Sequence, residues 1–199
     1  MDFSLFTFHF SLFEVIGAII GLFYIVSEYR ADRWFWPLSL LMSAFYAVID
    51  FTSGIYANGT ICVYNFVMSL YGLLVWRGII QRRQVDHGGE RHISSCPRRY
   101  WWQIITIIVL LSALLSWLLG YVRESSYPLL DGISSALTIV GMLMLAQKWW
   151  QQWFCWMIVE PLMIVLFILT GNYASAVLYA VFEVFCILGV IKWKKESIS

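Results

Sequence analysis

The chain has 199 residues, of which 61% are hydrophobic and only 13% are charged. Soluble domains carry about 25% charged residues, so this sequence has too little charge to cover a water-exposed surface. It is also too hydrophobic to be disordered. A formal net charge of +1, with no basic face, argues against nucleic-acid binding. The composition predicts an integral membrane protein.

Seven apolar stretches are long enough to cross a bilayer, which takes about 20 helical residues each. They are continuous rather than alternating, so each predicts a helix and not a strand of a membrane barrel. In chain order they cover residues 11–28, 34–52, 57–76, 101–121, 129–147, 152–170 and 173–192. The first lacks the basic flank and cleavage site of a signal peptide, so we expect it to remain as a span.

The basic residues predict the orientation of the chain. With seven spans, the loops after spans 1, 3 and 5 and the C-terminus lie on one side of the membrane. Twelve of the 13 Lys and Arg residues fall on that side, six of them in the polar loop 77–100, and only Arg123 falls on the other. By the positive-inside rule, the N-terminus is outside and the C-terminus is in the cytoplasm.

An internal repeat relates the two ends of the chain. Residues 52–76 align without a gap with residues 169–193, at an offset of 117. Identical pairs at this offset are Gly54/Gly171, Tyr56/Tyr173, Ala57/Ala174, Val67/Val184, Gly72/Gly189 and Trp76/Trp193, and Trp36 pairs with Trp153 upstream. The pattern predicts a duplication in which spans 1–3 correspond to spans 5–7.

The resulting fold is an all-α integral membrane protein of two parallel three-helix repeats joined by a linker helix (3+1+3), as in the sugar transporters called SWEETs. The predicted units are a first repeat (1–76), a basic cytoplasmic loop (77–100), the linker helix (101–121), a second repeat (129–193) and a cytoplasmic tail (194–199). Parallel repeats favour a small transporter whose substrate path lies between them. The four cysteines lack metal-ligand or disulfide spacing, so we expect no metal and no cofactor.

Two acidic residues lie where the bilayer makes them costly. Glu160 in span 6 and Glu183 in span 7 are each about 15 Å from a span end, near the midplane. An intramembrane carboxylate is a candidate functional residue. The two could share a proton, be protonated and hydrogen-bonded for structural reasons, or face a cavity that admits a cation.

Aromatic side chains accompany both acids. Trp153, Trp156 and Glu160 share one face of span 6, since they are spaced by three and four residues. Tyr179 and Glu183 share a face of span 7, and Asn65 of span 3 falls at the same depth. Rings and anions together suit a flat cation through stacking and cation–π attraction. These six residues form the predicted substrate-binding site.

Several motifs resemble the PnuC family of vitamin transporters. They are Ile55-Tyr56-Ala57 through Tyr71-Gly72 to Trp76, the pair Trp153-x-x-Trp156, and Ala176-Val-Leu-Tyr179 through Gly189 to Trp193-Lys194-Lys195. The resemblance covers nearly the whole chain except the 77–100 loop. It implies uptake of nicotinamide riboside, or in close relatives thiamine or riboflavin, into a bacterium through the cytoplasmic (inner) membrane. It also implies facilitated diffusion, with trapping by a cytoplasmic vitamin kinase.

By the same resemblance, Trp153 and Trp156 stack near the base, and polar residues of spans 3 and 6 hold the rest of the vitamin. Cys62 and Ser69 occupy span 3 positions where the family often has Gln and Asn, and so join the candidate site. Glu160 stands where the family usually has Asn, and Glu183 replaces an apolar residue. These differences keep thiamine, another flat cation, as an alternative substrate.

Other functional classes are less well supported. No H-E-x-x-H, G-x-S-x-G or phosphate-binding glycine loop is present, so no enzyme class is indicated. An accessory membrane subunit explains the composition but neither the acids nor the duplication. A proton-coupled carrier with Glu160 and Glu183 as the relay stays open, and so does a homo-oligomer.

Overall fold

The computed structural model describes residues 19–32, 34–52, 56–80, 92–122, 125–171 and 173–198. Within these ranges the chain is helical and forms no strand beyond an isolated bridge between Ser94 and Trp149. The helices are α1 (19–30), α2 (Phe35–Thr52), α3 (Tyr56–Trp76), α4 (Trp101–Val122), α5 (Pro128–Ala146), α6 (Gln152–Leu169) and α7 (Tyr173–Glu196). The predicted all-α fold is confirmed, while the first eight residues of the first predicted span lie outside the described residues.

The helices have the length and composition of membrane spans. Among the described residues, α3, α4, α5, α6 and α7 are long and apolar enough to cross a bilayer, and α2 has a shorter apolar stretch, Phe35–Val48. Many large hydrophobic side chains, such as Trp102, Leu110 and Val181, are exposed on the outer faces of these helices. Such faces are stable only in a lipid environment, so the chain is a multi-pass membrane protein.

The sequence repeat is visible in the packing of tryptophan on glycine. In the first repeat the ring of Trp36 lies directly against Gly72, and in the second the ring of Trp153 lies against Gly189. Both rings are completely buried, and in both the indole N–H has no hydrogen-bond partner within the described residues. The offset of 117 relates the two pairs. Glycine is required at these positions because a Cβ would overlap the ring.

The same two tryptophans each contact a second tryptophan at the end of the third helix of their repeat. Trp36 meets Trp76 edge to face, with ring centroids 5.3 Å apart and planes at 87°. Trp153 meets Trp193 at 5.6 Å and 89°. Edge-to-face geometry is favourable for aromatic pairs. The near-identical values show that each repeat is built around the same aromatic core.

The two repeats are joined to each other by reciprocal hydrogen bonds. The indole N–H of Trp76 in α3 donates to the backbone oxygen of Leu145 in α5 (3.2 Å). The indole N–H of Trp193 in α7 donates to the backbone oxygen of Tyr29 in α1 (3.0 Å). Each repeat therefore attaches its third helix to the first helix of the other. The carbonyl groups bonded in this way belong to the last turn of a helix, where they lack intrahelical partners.

The turn between the first and second helices is also duplicated. Ala31 and Lys148, which are 117 residues apart, both have a left-handed backbone conformation, with φ of 55° and 49°. In both turns this residue donates its N–H to the carbonyl three residues earlier (2.9 and 2.8 Å). The next residue donates to the carbonyl five residues earlier (2.9 and 3.0 Å). This pattern satisfies the carbonyls at a helix end and normally has glycine at the left-handed position.

Ala31→Gly is expected to stabilise the protein. The left-handed conformation costs a residue with a Cβ roughly 1–2 kcal/mol, and the greater freedom of unfolded glycine offsets only part of the gain, leaving about 0.5–1 kcal/mol. A higher melting temperature in detergent tests this. Lys148→Gly should give a smaller gain because it also removes the ammonium that lies 4.2 Å from the Trp76 ring centroid. A lower melting temperature for Ala31→Gly would contradict the prediction.

The linker helix α4 lies at the periphery. It packs on α5, where Gly132 lies directly against Ser116 of α4, and none of its own residues is buried. Among the described helices, α4 packs mainly on α5 and not between the two repeats.

The end of the basic loop is ordered against the second repeat. The backbone oxygen of Ser94 accepts from the N–H of Trp150 (3.0 Å), and the N–H of Ser94 donates to the backbone oxygen of Lys148 (2.9 Å). The N–H of Cys96 donates to the side-chain oxygen of Gln151 (2.9 Å). The segment before α4 is thus attached to the turn between α5 and α6, whereas residues 81–91 lie outside the described residues.

Candidate functional site

A group of buried polar side chains lies between the two repeats, with Glu160 of α6 near its centre. Glu160 is only 6% exposed, and its Oε2 atom has no hydrogen-bond partner within the described residues. Two more carboxylates lie near it, those of Glu28 in α1 and Glu183 in α7. Glu160 and Glu183 were predicted from the sequence, and the structure brings them together. We call this group the carboxylate cluster.

Glu28 is the member that sequence reasoning missed. It is 2% exposed, and its Oε1 atom has no partner within the described part of the chain. Its carboxylate lies beside the side chains of Gln152 and Trp156. The predicted first span ends at residue 28, where an acidic residue ordinarily faces water. The structure instead turns this carboxylate inward, toward α6.

Gln152 was also missed. It is fully buried, and neither its Oε1 nor its Nε2 atom has a hydrogen-bond partner among the described residues. Gln152, Trp156 and Glu160 follow each other at intervals of four residues, so three successive turns of α6 present an amide, an indole and a carboxylate on one face. They span about 12 Å along the helix. This spacing is visible in the sequence and would have found Gln152.

The two predicted stacking tryptophans have different surroundings. Trp156 is half-buried beside Glu28. Its ring lies against Gly141 of α5, where a Cβ would be 3.3 Å from Cζ2. Trp153 has no exposed surface and packs in the aromatic core on Gly189. Trp153 thus occupies the position equivalent to Trp36, the packing residue of the first repeat, and the stacking of both rings on the substrate stays a prediction.

Tyr179 and Glu183 lie on α7 as predicted. The ring of Tyr179 contacts Phe182 and Phe167, with centroids 5.4 and 5.1 Å away, and the Glu160 carboxylate acts on its hydroxyl electrostatically. Glu183 is half-buried, and its Oε2 atom has no partner among the described residues. These residues form the α7 side of the carboxylate cluster.

The three candidate residues of span 3 differ in burial and in hydrogen bonding. Asn65 is half-buried, and its Oδ1 atom has no partner within the described ranges. The Ser69 hydroxyl donates to the backbone oxygen of Asn65 (2.7 Å) and lies 2.6 Å from the hydroxyl of Ser39 in α2. Its hydrogen bonding is thus satisfied between helices. Cys62 is half-buried, one turn before Asn65.

The polar residues of the site are not duplicated with the fold. At the offset of 117, the positions equivalent to Glu28, Gln152, Glu160 and Glu183 are Leu145, Phe35, Ser43 and Phe66. Leu145 and Phe35 are fully buried and apolar, so an apolar side chain satisfies the fold at those two positions. The acids and the amide thus form one asymmetric site between symmetric repeats.

The chemistry of this site suits a flat cation that carries hydrogen-bond donors. Carboxylates accept hydrogen bonds and attract positive charge, and an indole ring stacks on an aromatic cation. Small-molecule sites are typically lined by apolar side chains, with a small number of polar groups that converge on the ligand. The fold defines a multi-pass membrane protein of two three-helix repeats, and the carboxylate cluster between them is its candidate site.

Comparison with known proteins gives the family. Residues 11–195 match the model of the nicotinamide mononucleotide transporter family, and the chain belongs to that family. It is similar to the nicotinamide riboside transporter PnuC of Escherichia coli, with 22% identity over 92% of this chain and 85% of that protein. It is also similar to the protein of the same name from Neisseria mucosa, with 21% identity over 90% of this chain and 71% of that protein.

A solved structure has the same fold. The crystal structure of the vitamin B3 transporter PnuC matches with a TM-score of 0.73 and 18% sequence identity. The match covers 94% of this chain and 83% of that chain. The resemblance found in the sequence motifs is therefore confirmed over nearly the whole length.

Proposed function

We propose that this protein takes up nicotinamide riboside across the bacterial inner membrane. The family match and the names of the relatives support a nicotinamide compound as the substrate. The proposed site consists of Trp156, Glu160, Tyr179 and Glu183, with Asn65 on α3. Trp153 is the second predicted stacking ring, and Cys62 and Ser69 lie one turn before and one turn after Asn65 on α3.

The observation that carries this proposal is the carboxylate cluster around Glu160. Nicotinamide riboside has a positively charged pyridinium ring, which an ionised carboxylate of this cluster attracts. Nicotinamide mononucleotide adds a phosphate, which the same carboxylate repels. Within the described residues, the Glu28 and Glu183 carboxylates lie near Glu160, and this acidic surrounding favours the riboside over the mononucleotide.

We further propose that transport is facilitated diffusion, with the N-terminus outside and a cytoplasmic kinase that traps the vitamin. Arg30, Arg77, Lys148 and Lys194 at one end of the helices support this orientation. The membrane potential favours entry of a monovalent cation by about 2.3 kcal/mol per 100 mV. A coupled ion is therefore not needed to drive uptake.

Calorimetric titration of the detergent-purified full chain tests the proposal. We expect nicotinamide riboside to bind at least about tenfold more tightly than nicotinamide mononucleotide, since a difference of about 1.4 kcal/mol is enough for that ratio. Tighter binding of thiamine than of the riboside would favour the alternative substrate. Binding of none of these compounds would contradict a vitamin transporter.

Uptake into vesicles separates facilitated diffusion from proton coupling. Without a trapping kinase and without a membrane potential, we expect the riboside to equilibrate and not to accumulate. Accumulation driven by an imposed pH gradient would instead support a proton-coupled carrier.

A further inference from the structure

Gln152 has an unusual environment for a buried amide. The side chain has no exposed surface, and within the described residues neither amide atom makes a close hydrogen bond, although the Glu28 carboxylate lies beside it. A buried polar group without a partner destabilises a protein. Such a residue is retained at a cost in stability unless a ligand supplies the missing partners.

The repeat shows that the fold does not require a polar side chain at this position. The equivalent residue in the first repeat is Phe35, which is also fully buried. Phe35 packs against Tyr24 and Trp36, with ring centroids 4.7 and 4.8 Å away. The same structural position is thus filled by an aromatic ring in one repeat and by an amide in the other.

A second polar group lies beside this amide. The Glu28 carboxylate faces Gln152 and Trp156, and its Oε1 atom is buried without a partner within the described chain. The position equivalent to Glu28 is Leu145. Both members of the pair therefore replace apolar residues of the other repeat, and they do so side by side.

We propose that Gln152 and Glu28 form a specificity-determining subsite that binds the carboxamide group of the substrate. Gln152 Oε1 accepts one N–H of the carboxamide, and Gln152 Nε2 donates to its carbonyl oxygen. Glu28 accepts the second N–H. Every donor and acceptor of a primary carboxamide then has a partner, and so do both amide atoms of Gln152.

The spacing along α6 agrees with this assignment. Gln152, Trp156 and Glu160 lie on consecutive turns of one helix face. With the carboxamide at Gln152, the pyridinium ring stacks on Trp156 and the ribose extends toward Glu160. The inference rests on the proposed function, since it assumes that the riboside binds between the repeats.

The test compares two ligands on two proteins by calorimetric titration in detergent. The ligands are nicotinamide riboside and the pyridinium riboside that lacks the carboxamide, and the proteins are the full chain and its Gln152→Leu variant. We expect Gln152→Leu to weaken binding of nicotinamide riboside at least about tenfold, because the hydrogen bonds to the carboxamide are lost. The pyridinium riboside should bind equally to both proteins.

The controls separate this role from a structural one. Phe154→Leu changes an exposed residue of the same helix and should leave both affinities unchanged. Equal weakening of both ligands by Gln152→Leu would overturn the subsite, and so would unchanged binding of nicotinamide riboside. If Gln152→Leu does not fold, the unaltered protein is titrated with the two ribosides. Equal affinity for both would overturn the proposal.

A second variant tests the carboxylate of the pair. Nicotinic acid riboside carries a carboxylate in place of the carboxamide, and Glu28 repels it. Glu28→Gln should therefore raise the affinity for nicotinic acid riboside relative to nicotinamide riboside, and an unchanged ratio would contradict a role for Glu28.

If the unaltered chain binds neither nicotinamide riboside nor the pyridinium riboside, the proposed function itself fails. Binding of both with equal affinity overturns only this subsite.

Discussion

Glu160→Gln is expected to lower the affinity for nicotinamide riboside at least about tenfold, or about 1.4 kcal/mol. The substitution keeps the shape of the side chain and removes the ionised form of Glu160, whose negative charge attracts the cationic substrate in the proposed site. Glu160 is buried at 6% exposure, so water screens this charge less than it would at the surface. Titration calorimetry with the purified variant measures the loss directly.

The repeat supplies a matched control for this experiment. Ser43 is the residue equivalent to Glu160 in the first repeat, and its hydroxyl donates to the backbone oxygen of Ser39 one turn earlier (2.7 Å). Ser43→Ala should leave binding unchanged. The affinity ratio of riboside to mononucleotide should also fall in Glu160→Gln, because less charge repels the phosphate. Normal binding by both Glu160→Gln and Glu183→Gln would show that the substrate binds elsewhere.

Gly189→Ala is expected to destabilise the protein by about 1–3 kcal/mol, the usual cost of an overpacked core. The added methyl group falls on the indole ring of Trp153, which is fully buried and has Trp193 on another side. The ring has no space to move into, so α6 and α7 must separate. A lower melting temperature in detergent measures the effect.

Gly72→Ala gives the same test in the first repeat, since Trp36 lies on Gly72 in the same way. Both variants should lower the melting temperature by similar amounts, whereas only Gly189→Ala should also weaken substrate binding, because it displaces α6. Gly120→Ala is the neutral control, since its Cβ would lie 3.7 Å from Pro128 in ordinary contact. A Gly189→Ala protein as stable as the parent would refute the packing argument.

The helix boundaries were predictable because a bilayer imposes a length on each apolar run. Predicted spans such as 34–52 and 152–170 agree with α2 and α6 to within one residue at each end. The repeat was also visible in the sequence. Its tryptophan rings lie directly against glycines, and only glycine leaves room for the ring at these positions. Hydropathy reports which segments contact lipid, and the spacing of the glycine and tryptophan pairs reports where helices pack closely on each other.

The site was predictable only in part because it depends on which way a side chain turns at a helix end. Glu160 and Glu183 were found since any acid at midplane depth is conspicuous. Glu28 lies two residues before the end of α1, where depth alone does not distinguish an inward from an outward carboxylate. The sequence pattern places Trp153 beside the substrate, but an aromatic residue near an acid has the same spacing whether it packs or binds, so the spacing does not reveal the burial of this ring against Gly189.

The reciprocal tryptophan bonds impose an order on biosynthesis. When the ribosome has made the first three helices, the indole N–H of Trp76 lacks its acceptor in the folded protein, because Leu145 is 69 residues further along the chain. The bond forms only after the fifth helix is inserted. The second bond closes last, since Trp193 must reach back 164 residues to Tyr29. A truncated chain that stops before α7 leaves the end of α1 without this partner, and we expect the cell's quality-control proteases to recognise it.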